Sequence, residues 1–166
     1  TGLEGNVPIN LVCIDTDGRP GQRSLRQVLE SWLAFRAQTV TRRTRHRLDK
    51  VLDRIHILEG RSIVYLNVDE VIRTIREADE PRAALMERFR LTERQADDIL
   101  EMRLRQLARL EGIRIEQELA QKRADQLALQ ELLDDPAAFK RLMIREIEAD
   151  AKQYGDDRRT LIEAAE

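Results

Sequence analysis

Apolar residues recur at helical rather than strand spacing along most of this chain, and one stretch is apolar around too much of its circumference for a single contact. On a helix drawn from Ile99 to Gly112, Leu100, Leu104, Leu107 and Ala108 form one stripe, with Ile99, Met102 and Leu110 beside it. One stripe can close a small core within the chain. The flanking one then becomes a candidate for a partner chain.

Upstream, Val7 to Ile14 is β-branched and apolar, and Asp15-Thr-Asp-Gly-Arg-Pro-Gly21 is dense in turn formers. This predicts an edge strand, a turn and a short return toward Ser24. Ser24-Leu-Arg-Gln27 has the form of a capping box, and neither Pro nor Gly follows until Gly60. A helix of roughly 36 residues would extend about 54 Å. Its apolar positions Leu25, Leu29 and Trp32, then Leu48, Leu52, Ile55 and Leu58, are separated by a polar stretch. Such an arm needs a partner helix.

Gly112 to Leu133 supplies one, with Ile115, Leu119, Leu127 and Leu132. Asp135-Pro136 then offers an N-cap with proline at the first helical position. Phe139, Met143, Ile147, Ala151 and Tyr154 line one face up to Gly155, a helix stop. Between Gly60 and Glu111 the pattern breaks into short helices capped at Asn67-x-x-Glu70, Glu80-Pro81 and Thr92-x-x-Gln95, the last with Leu91 and Ala96 placed as a hydrophobic staple. The expected fold is mainly α: long antiparallel coiled-coil arms, a small helical globular tip and a short β segment at the N-terminus. No internal repeat or low-complexity linker interrupts it.

Composition agrees with a helical scaffold: 36% of residues are charged and only 4% aromatic. With 29 Lys+Arg against 31 Asp+Glu the net charge is −2, so affinity for nucleic acid would have to come from a local patch. Cys13 is the single cysteine and can form no internal disulfide, which points to a reducing cytoplasm. No apolar run approaches the roughly 18–20 residues of a membrane span, and no secretory signal is present. The chain begins Thr1-Gly2 without a methionine and reads as an excised fragment.

Candidate chemistry is sparse. His46 and His56 have no Cys or His at ligand spacing, so no metal site is expected, and no phosphate loop or dinucleotide glycine pattern occurs. Adjacent carboxylates on a helix point about 100° apart, which makes Asp97-Asp98 and Asp156-Asp157 a solvated face or caps rather than a cation site. The run Arg42-Arg43-Thr44-Arg45-His46-Arg47 has two readings. The arginines form a solvated helix surface, or some of them meet DNA phosphates, where Coulomb attraction suffices and base readout is unnecessary. Asp49 and Asp53 weigh against the second.

Three motifs in order carry a family resemblance: Val40-Thr-Arg-Arg-Thr44 with His56-Ile-Leu-Glu-Gly60, then Ile99-Leu-Glu-Met-Arg-Leu104 running on to Leu110-Glu111, then Tyr154-Gly-Asp-Asp-Arg-Arg-Thr160. From about Leu11 to Thr160 the chain resembles the A subunit of bacterial type IIA DNA topoisomerases, the family of gyrase and topoisomerase IV. Leu107-Ala-Arg-Leu-Glu111 is more similar to the topoisomerase IV branch, since gyrase A subunits usually carry Thr-Gly where Ala108-Arg109 stands; the same region of a gyrase A subunit, acting in negative supercoiling, is the alternative.

The resemblance implies an exit gate (C-gate). Residues 1–23 would end a tower-like β region, 24–59 form the outgoing coiled-coil arm, 60–111 the helical dimerisation tip, 112–160 the returning arm and 161–166 a tail. Two chains would meet through their tips as a homodimer, with Ile99, Met102, Arg103, Gln106 and Leu110 at the interface and Arg42, Arg43, Arg45 and Arg47 as candidate DNA phosphate contacts. The intact enzyme would pair two A subunits with two ATPase B subunits, which hold the Mg²⁺ and ATP. It would drive ATP-dependent double-strand passage, relaxation and decatenation during chromosome segregation, in the cytoplasm at the nucleoid, with the inner membrane face as another peripheral location.

The family's catalytic tyrosine sits in an Arg-Tyr-Thr context that neither Tyr65 nor Tyr154 has. Both are expected to pack, no residue here is expected to be catalytic, and the catalytic tyrosine would lie upstream of Thr1. A coiled-coil adaptor without enzymatic role is a rival from another class, although the arms lack its sustained heptad seam. An enzyme with its active site in the tip is a second rival, and it lacks any paired nucleophile and base.

Overall fold

Capping, proline placement and close helix approach account for most of the element boundaries in the computed structural model, which describes residues 10–102 and 109–157. The elements are β1 (Val12–Ile14), β2 (Pro20–Gln22), α1 (Leu25–Leu66), α2 (Val68–Glu77), α3 (Pro81–Phe89), α4 (Glu93–Glu101), α5 (Arg109–Asp134) and α6 (Pro136–Tyr154). The fold is mainly α with a short antiparallel strand pair at the N-terminal end, as the pattern predicts. It divides into two compact units, residues 1–43 with 137–166, and residues 44–136.

In the first unit β1 and β2 pair antiparallel, Val12 opposite Gln22 and Ile14 opposite Pro20. The turn closes through the Gly18 N–H on the Asp15 carbonyl at 2.9 Å, with Gly18 at φ +76, a conformation that glycine adopts without a Cβ penalty. The Asp15 carboxylate accepts hydrogen bonds from the Thr16 N–H and the Ser31 hydroxyl and pairs with Arg23 at 3.1 Å, tying the hairpin to α1. The Ser24 box forms: the Ser24 N–H donates to Gln27 Oε1 at 2.8 Å, and the Gln27 N–H donates to Ser24 Oγ at 3.3 Å. Here α1 and α6 are joined by Arg36 to Asp150 at 2.8 Å and by Arg43 to Glu146. Val40, Ala138 and Met143 are buried, whereas Leu25, Leu29, Trp32 and Phe35 remain largely exposed.

The second unit has a true core: Val64, Val71, Leu85, Leu91, Ala96 and Ile99, flanked by Ile63, Ile75, Met86 and Phe89. Against α5, α1 runs antiparallel, Tyr65 lying at Gly112 and Arg47 to Val51 beside Asp125 to Leu129, and the two helices are bridged by the bidentate Arg54–Glu118 pair (2.6 and 2.9 Å) and by Arg123–Glu59 at 3.0 Å. Arginine makes most of these bridges because its planar fork fits a carboxylate with two parallel N–H donors.

Three boundaries differ from the sequence pattern. First, α1 does not stop at Gly60 but continues to Leu66, and α5 likewise contains Gly112. Both glycines serve close approach: a Cβ on Gly60 would lie 2.8 Å from Gln95 Cγ, and one on Gly112 would overlap the Tyr65 ring. Second, Asn67 makes no side-chain cap; its Nδ2 donates back to the Ile63 carbonyl at 2.8 Å, and Glu70 pairs with Arg88 instead. Third, α4 ends at Glu101, with Met102 extended at φ −73, ψ 136 and its N–H on the Ile99 carbonyl. The helix drawn from Ile99 through Leu110 therefore breaks after its first residues.

Other signals fall where the pattern puts them, except that Glu80 makes no side-chain cap for α3. Pro81 and Pro136 open their helices, and the Gly155 N–H closes α6 on the Ala151 carbonyl at 2.8 Å. The chain leaves α3 through Arg90, a non-glycine residue in the left-handed region at φ 53.

Candidate functional site

Between α2 and α4 lies an apolar cleft, and its shape follows from how α4 is seated. Gln95, Ala96 and Ile99 are its buried positions, so Leu100, one residue and about 100° further round, turns outward at 39% exposed. Ile99, at 6% exposed, faces the chain's own core. With Val71, Ile72, Ile75, Arg76 and Met102, these two residues line a cleft of 590 Å³. Met102 is half-buried at its edge. Arg103 and Gln106 lie outside the described residues, as does the side chain of Leu110.

The seat of α4 on α1 is polar and closely fitted. Thr92 caps α4 in a complete box: its N–H donates to Gln95 Oε1 at 2.9 Å, and Thr92 Oγ1 accepts the Gln95 N–H. Leu91 and Ala96, the expected staple, are both buried in the core. Gln95 Nε2 donates to the His56 carbonyl at 2.7 Å, and His56 Nε2 is hydrogen-bonded to Thr92 Oγ1 at 2.7 Å. On either side, Arg94 pairs with Asp53 at 2.9 Å and Arg61 holds Asp98 through two contacts of 2.7 Å. Asp97 pairs with Arg82, so the Asp97-Asp98 pair is taken up by arginines rather than open to a cation.

Arg42, Arg43, Arg45 and Arg47 are all exposed on α1. Arg43 is engaged by Glu146, while Arg42, Arg45 and Arg47 have no acidic partner among the described residues. Asp53, which would neutralise part of this run, is occupied by Arg94.

Tyr65 packs against the α5 backbone at Gly112, as expected. Among the described residues Tyr154 does not pack: it is 75% exposed on the last residue of α6, directly before the Gly155 stop. His46 is exposed, Cys13 is a half-buried free thiol, and among the described residues no group of three His, Cys, Asp or Glu side chains could hold a metal. Nor, among them, is any helix long and apolar enough to cross a membrane.

Ionisation is perturbed at structural carboxylates. The Glu118 carboxyl is held below its usual range by the Arg54 guanidinium, which donates to it directly. Asp15 is lowered chiefly by the Thr16 backbone N–H, and Asp125 by hydrogen bonds from Gln121 and Lys122.

Sequence reasoning missed the pairing of Gly60 with Gln95 and the burial of Val40 and Thr44 inside the arginine-rich stretch of α1. The spacing of Val40 and Thr44, four apart on one helix face, was the available signal.

The family model for the A subunit of DNA gyrase and topoisomerase IV matches residues 1–148. The chain is 55% identical over 165 residues to the A subunit of DNA topoisomerase 4 from Neisseria gonorrhoeae, a match covering 99% of the chain and 22% of that relative. It is 48% identical over 166 residues to the protein of that name from Escherichia coli (strain K12), covering 100% of the chain and 22% of the relative. With the Rickettsia felis protein of the same name it shares 41% identity over 155 residues, 93% of the chain and 21% of the relative. The chain thus spans about a fifth of the length of these relatives.

Proposed function

The chain belongs to the family of DNA gyrase and topoisomerase IV A subunits, and from that premise we propose that it forms the exit gate of a topoisomerase IV-type A subunit: coiled-coil arms carrying a tip through which two copies meet. The observation that supports it most directly is the apolar cleft walled by Ile72, Ile75, Leu100 and Met102, in a chain of which 36% is charged. A partly apolar patch of this size suits a contact that must be specific yet reversible. The common name of the relatives at 41 to 55% identity favours the topoisomerase IV branch over gyrase.

In the intact enzyme two such A subunits would assemble with two ATPase B subunits in the cytoplasm, at the nucleoid. The arms would enclose the transported duplex and release it when the tips part. Double-strand passage, relaxation and decatenation would be properties of that assembly. This reading assigns Mg²⁺ and ATP to the B subunit. Neither tyrosine is assigned to DNA cleavage: Tyr65 is packed on α5, and Tyr154 has no cationic neighbour within hydrogen-bonding reach among the described residues to stabilise a phenolate.

Sedimentation tests the contact. The chain is expected to be a two-fold dimer, and Met102→Asp or Ile72→Asp, both in the cleft, should weaken it with helicity kept, because burying an unpaired carboxylate costs several kcal/mol. Unchanged dimers in both variants would reject the cleft as the interface. In the full enzyme, a reducible crosslink across paired tips should leave cleavage and resealing intact while blocking repeated strand passage.

DNA contact by the arginine run is tested separately. Replacing Arg42, Arg45 and Arg47 with Gln should flatten the salt dependence of DNA binding by about 0.9 per lost phosphate contact. An unaltered slope assigns these arginines to a solvated surface.

A further inference from the structure

Gln95 is 7% exposed, and every part of its side chain is used. Oε1 accepts the Thr92 N–H, Nε2 donates to a carbonyl on a different helix, and Cβ and Cγ fill the space that a side chain at position 60 would need. An added Cβ on Gly60 would come within 2.8 Å of Cγ and 2.9 Å of Cβ. The near end of the side chain, not its mobile tip, causes this overlap. Gln95 therefore cannot swing aside while α4 keeps its place, and a larger residue at position 60 has to push the helix away.

The flanking charges give the joint a direction. On α1 the acid Asp53 precedes the base Arg61, while on α4 the base Arg94 precedes the acid Asp98. Reversing α4 on α1 would bring Arg94 toward Arg61 and Asp98 toward Asp53, so like charges oppose the wrong orientation. The last residues of α4 lead directly into Leu100 and Met102, one wall of the apolar cleft.

We propose that Gln95, seated on Gly60, is a positioning residue of the gate: it sets the register of α4 on α1 and thereby the spacing of the cleft's two walls. This rests on the reading of the cleft as the contact between two copies.

The test uses the chain with Gly60→Ala, Gln95→Ala, the double variant, and Gln95→Glu, which keeps Oε1 but loses the donor to His56. Two readouts are taken, hydrogen exchange of the α4 amides and the dissociation constant of the dimer. Gly60→Ala should speed α4 exchange at least tenfold and weaken the dimer at least tenfold, with helicity retained. In the double variant the two effects should combine to less than their product, because removing Cγ and Cδ relieves two of the three overlaps with the alanine and leaves only that with Cβ, at 2.9 Å. A cap acting only within α4 predicts simple multiplication, and that result overturns the proposal.

Gln95→Glu should shift both readouts in the same direction as Gly60→Ala and decides the matter if the glycine variant does not fold. A shift in neither overturns the proposal. If the wild-type chain proves monomeric at every concentration, the exit-gate reading fails, and α4 exchange still judges the joint: unaltered exchange in Gly60→Ala removes it.

Discussion

Each of the two compact units is held together by its own means, and two copies of one sequence motif show the difference most sharply. Ser24-x-x-Gln27 and Thr92-x-x-Gln95 both close a capping box. At Ser24 both partners are exposed and the motif ends where the helix begins. At Thr92 the same hydrogen bonds are turned inward: the threonine hydroxyl reaches His56, and the glutamine spans to the neighbouring helix and is buried. The surrounding packing differs in parallel. The first unit keeps Leu25, Leu29, Trp32 and Phe35 largely exposed and relies on Arg36 and Arg43 bridges, whereas the second closes a continuous apolar core. A local motif thus acquires tertiary weight only where a second helix comes close enough to use its spare atoms.

Core truncation should separate the units most widely. Leu58→Ala, at a fully buried site, is expected to lower stability by about 3 kcal/mol through lost burial and an unfilled cavity. Leu29→Ala, at a site 52% exposed, should cost less than about 1 kcal/mol. Urea unfolding followed by circular dichroism measures both, and equal losses would erase the distinction.

The caps should differ next. Thr92→Ala removes an N-cap oxygen and the partner of His56 together, for about 2 kcal/mol, while Ser24→Ala loses an exposed cap for about 0.5 kcal/mol. A Ser24 effect as large as that at Thr92 would mean that burial adds nothing to the motif.

The smallest effect is electrostatic. Because Arg54 lowers the folded-state value of Glu118, its contribution is fully present above the usual glutamate range, about 4.3, and is lost as pH falls through the depressed folded value. Glu118→Gln should flatten the acid limb of the stability profile and cost about 0.5 kcal/mol near neutrality, the scale of a half-exposed pair. An acid limb of the same steepness in the variant would assign it to other carboxylates.

Much of this was legible in the sequence because it is local. The strand pair, the Ser24 and Thr92 boxes, the Leu91–Ala96 staple and the helix starts at Pro81 and Pro136 each depend on residues a few positions apart. Gly60 and Gly112 were misleading for the opposite reason: a glycine that ends a helix and one that admits a neighbour look alike until Gln95 and Tyr65 arrive from elsewhere in the chain. Asn67 had an N-cap's spacing but lay so close to the end of α1 that the Ile63 carbonyl captured its amide. In α4 the pattern put Leu100 on the stripe that closes the core and Ile99 beside it, whereas Ile99 is buried and Leu100 is 39% exposed, since a stripe drawn over a longer helix cannot register that α4 ends at Glu101.

The chain contains one tryptophan, Trp32, and its ring lies in the first unit with the Arg36 guanidinium 5.4 Å from its centre. Light emission from this molecule is therefore lopsided. Tryptophan fluorescence follows only the loosely covered hairpin-bearing unit, while the second unit melts without an indole of its own to report it. If the two units unfold as one, fluorescence and far-ultraviolet dichroism must trace the same transition; if the core of the second outlasts the first, the fluorescence change must come at lower denaturant. The placement of a single indole thus turns a pair of ordinary spectrometers into a test of whether the chain is one cooperative body or two.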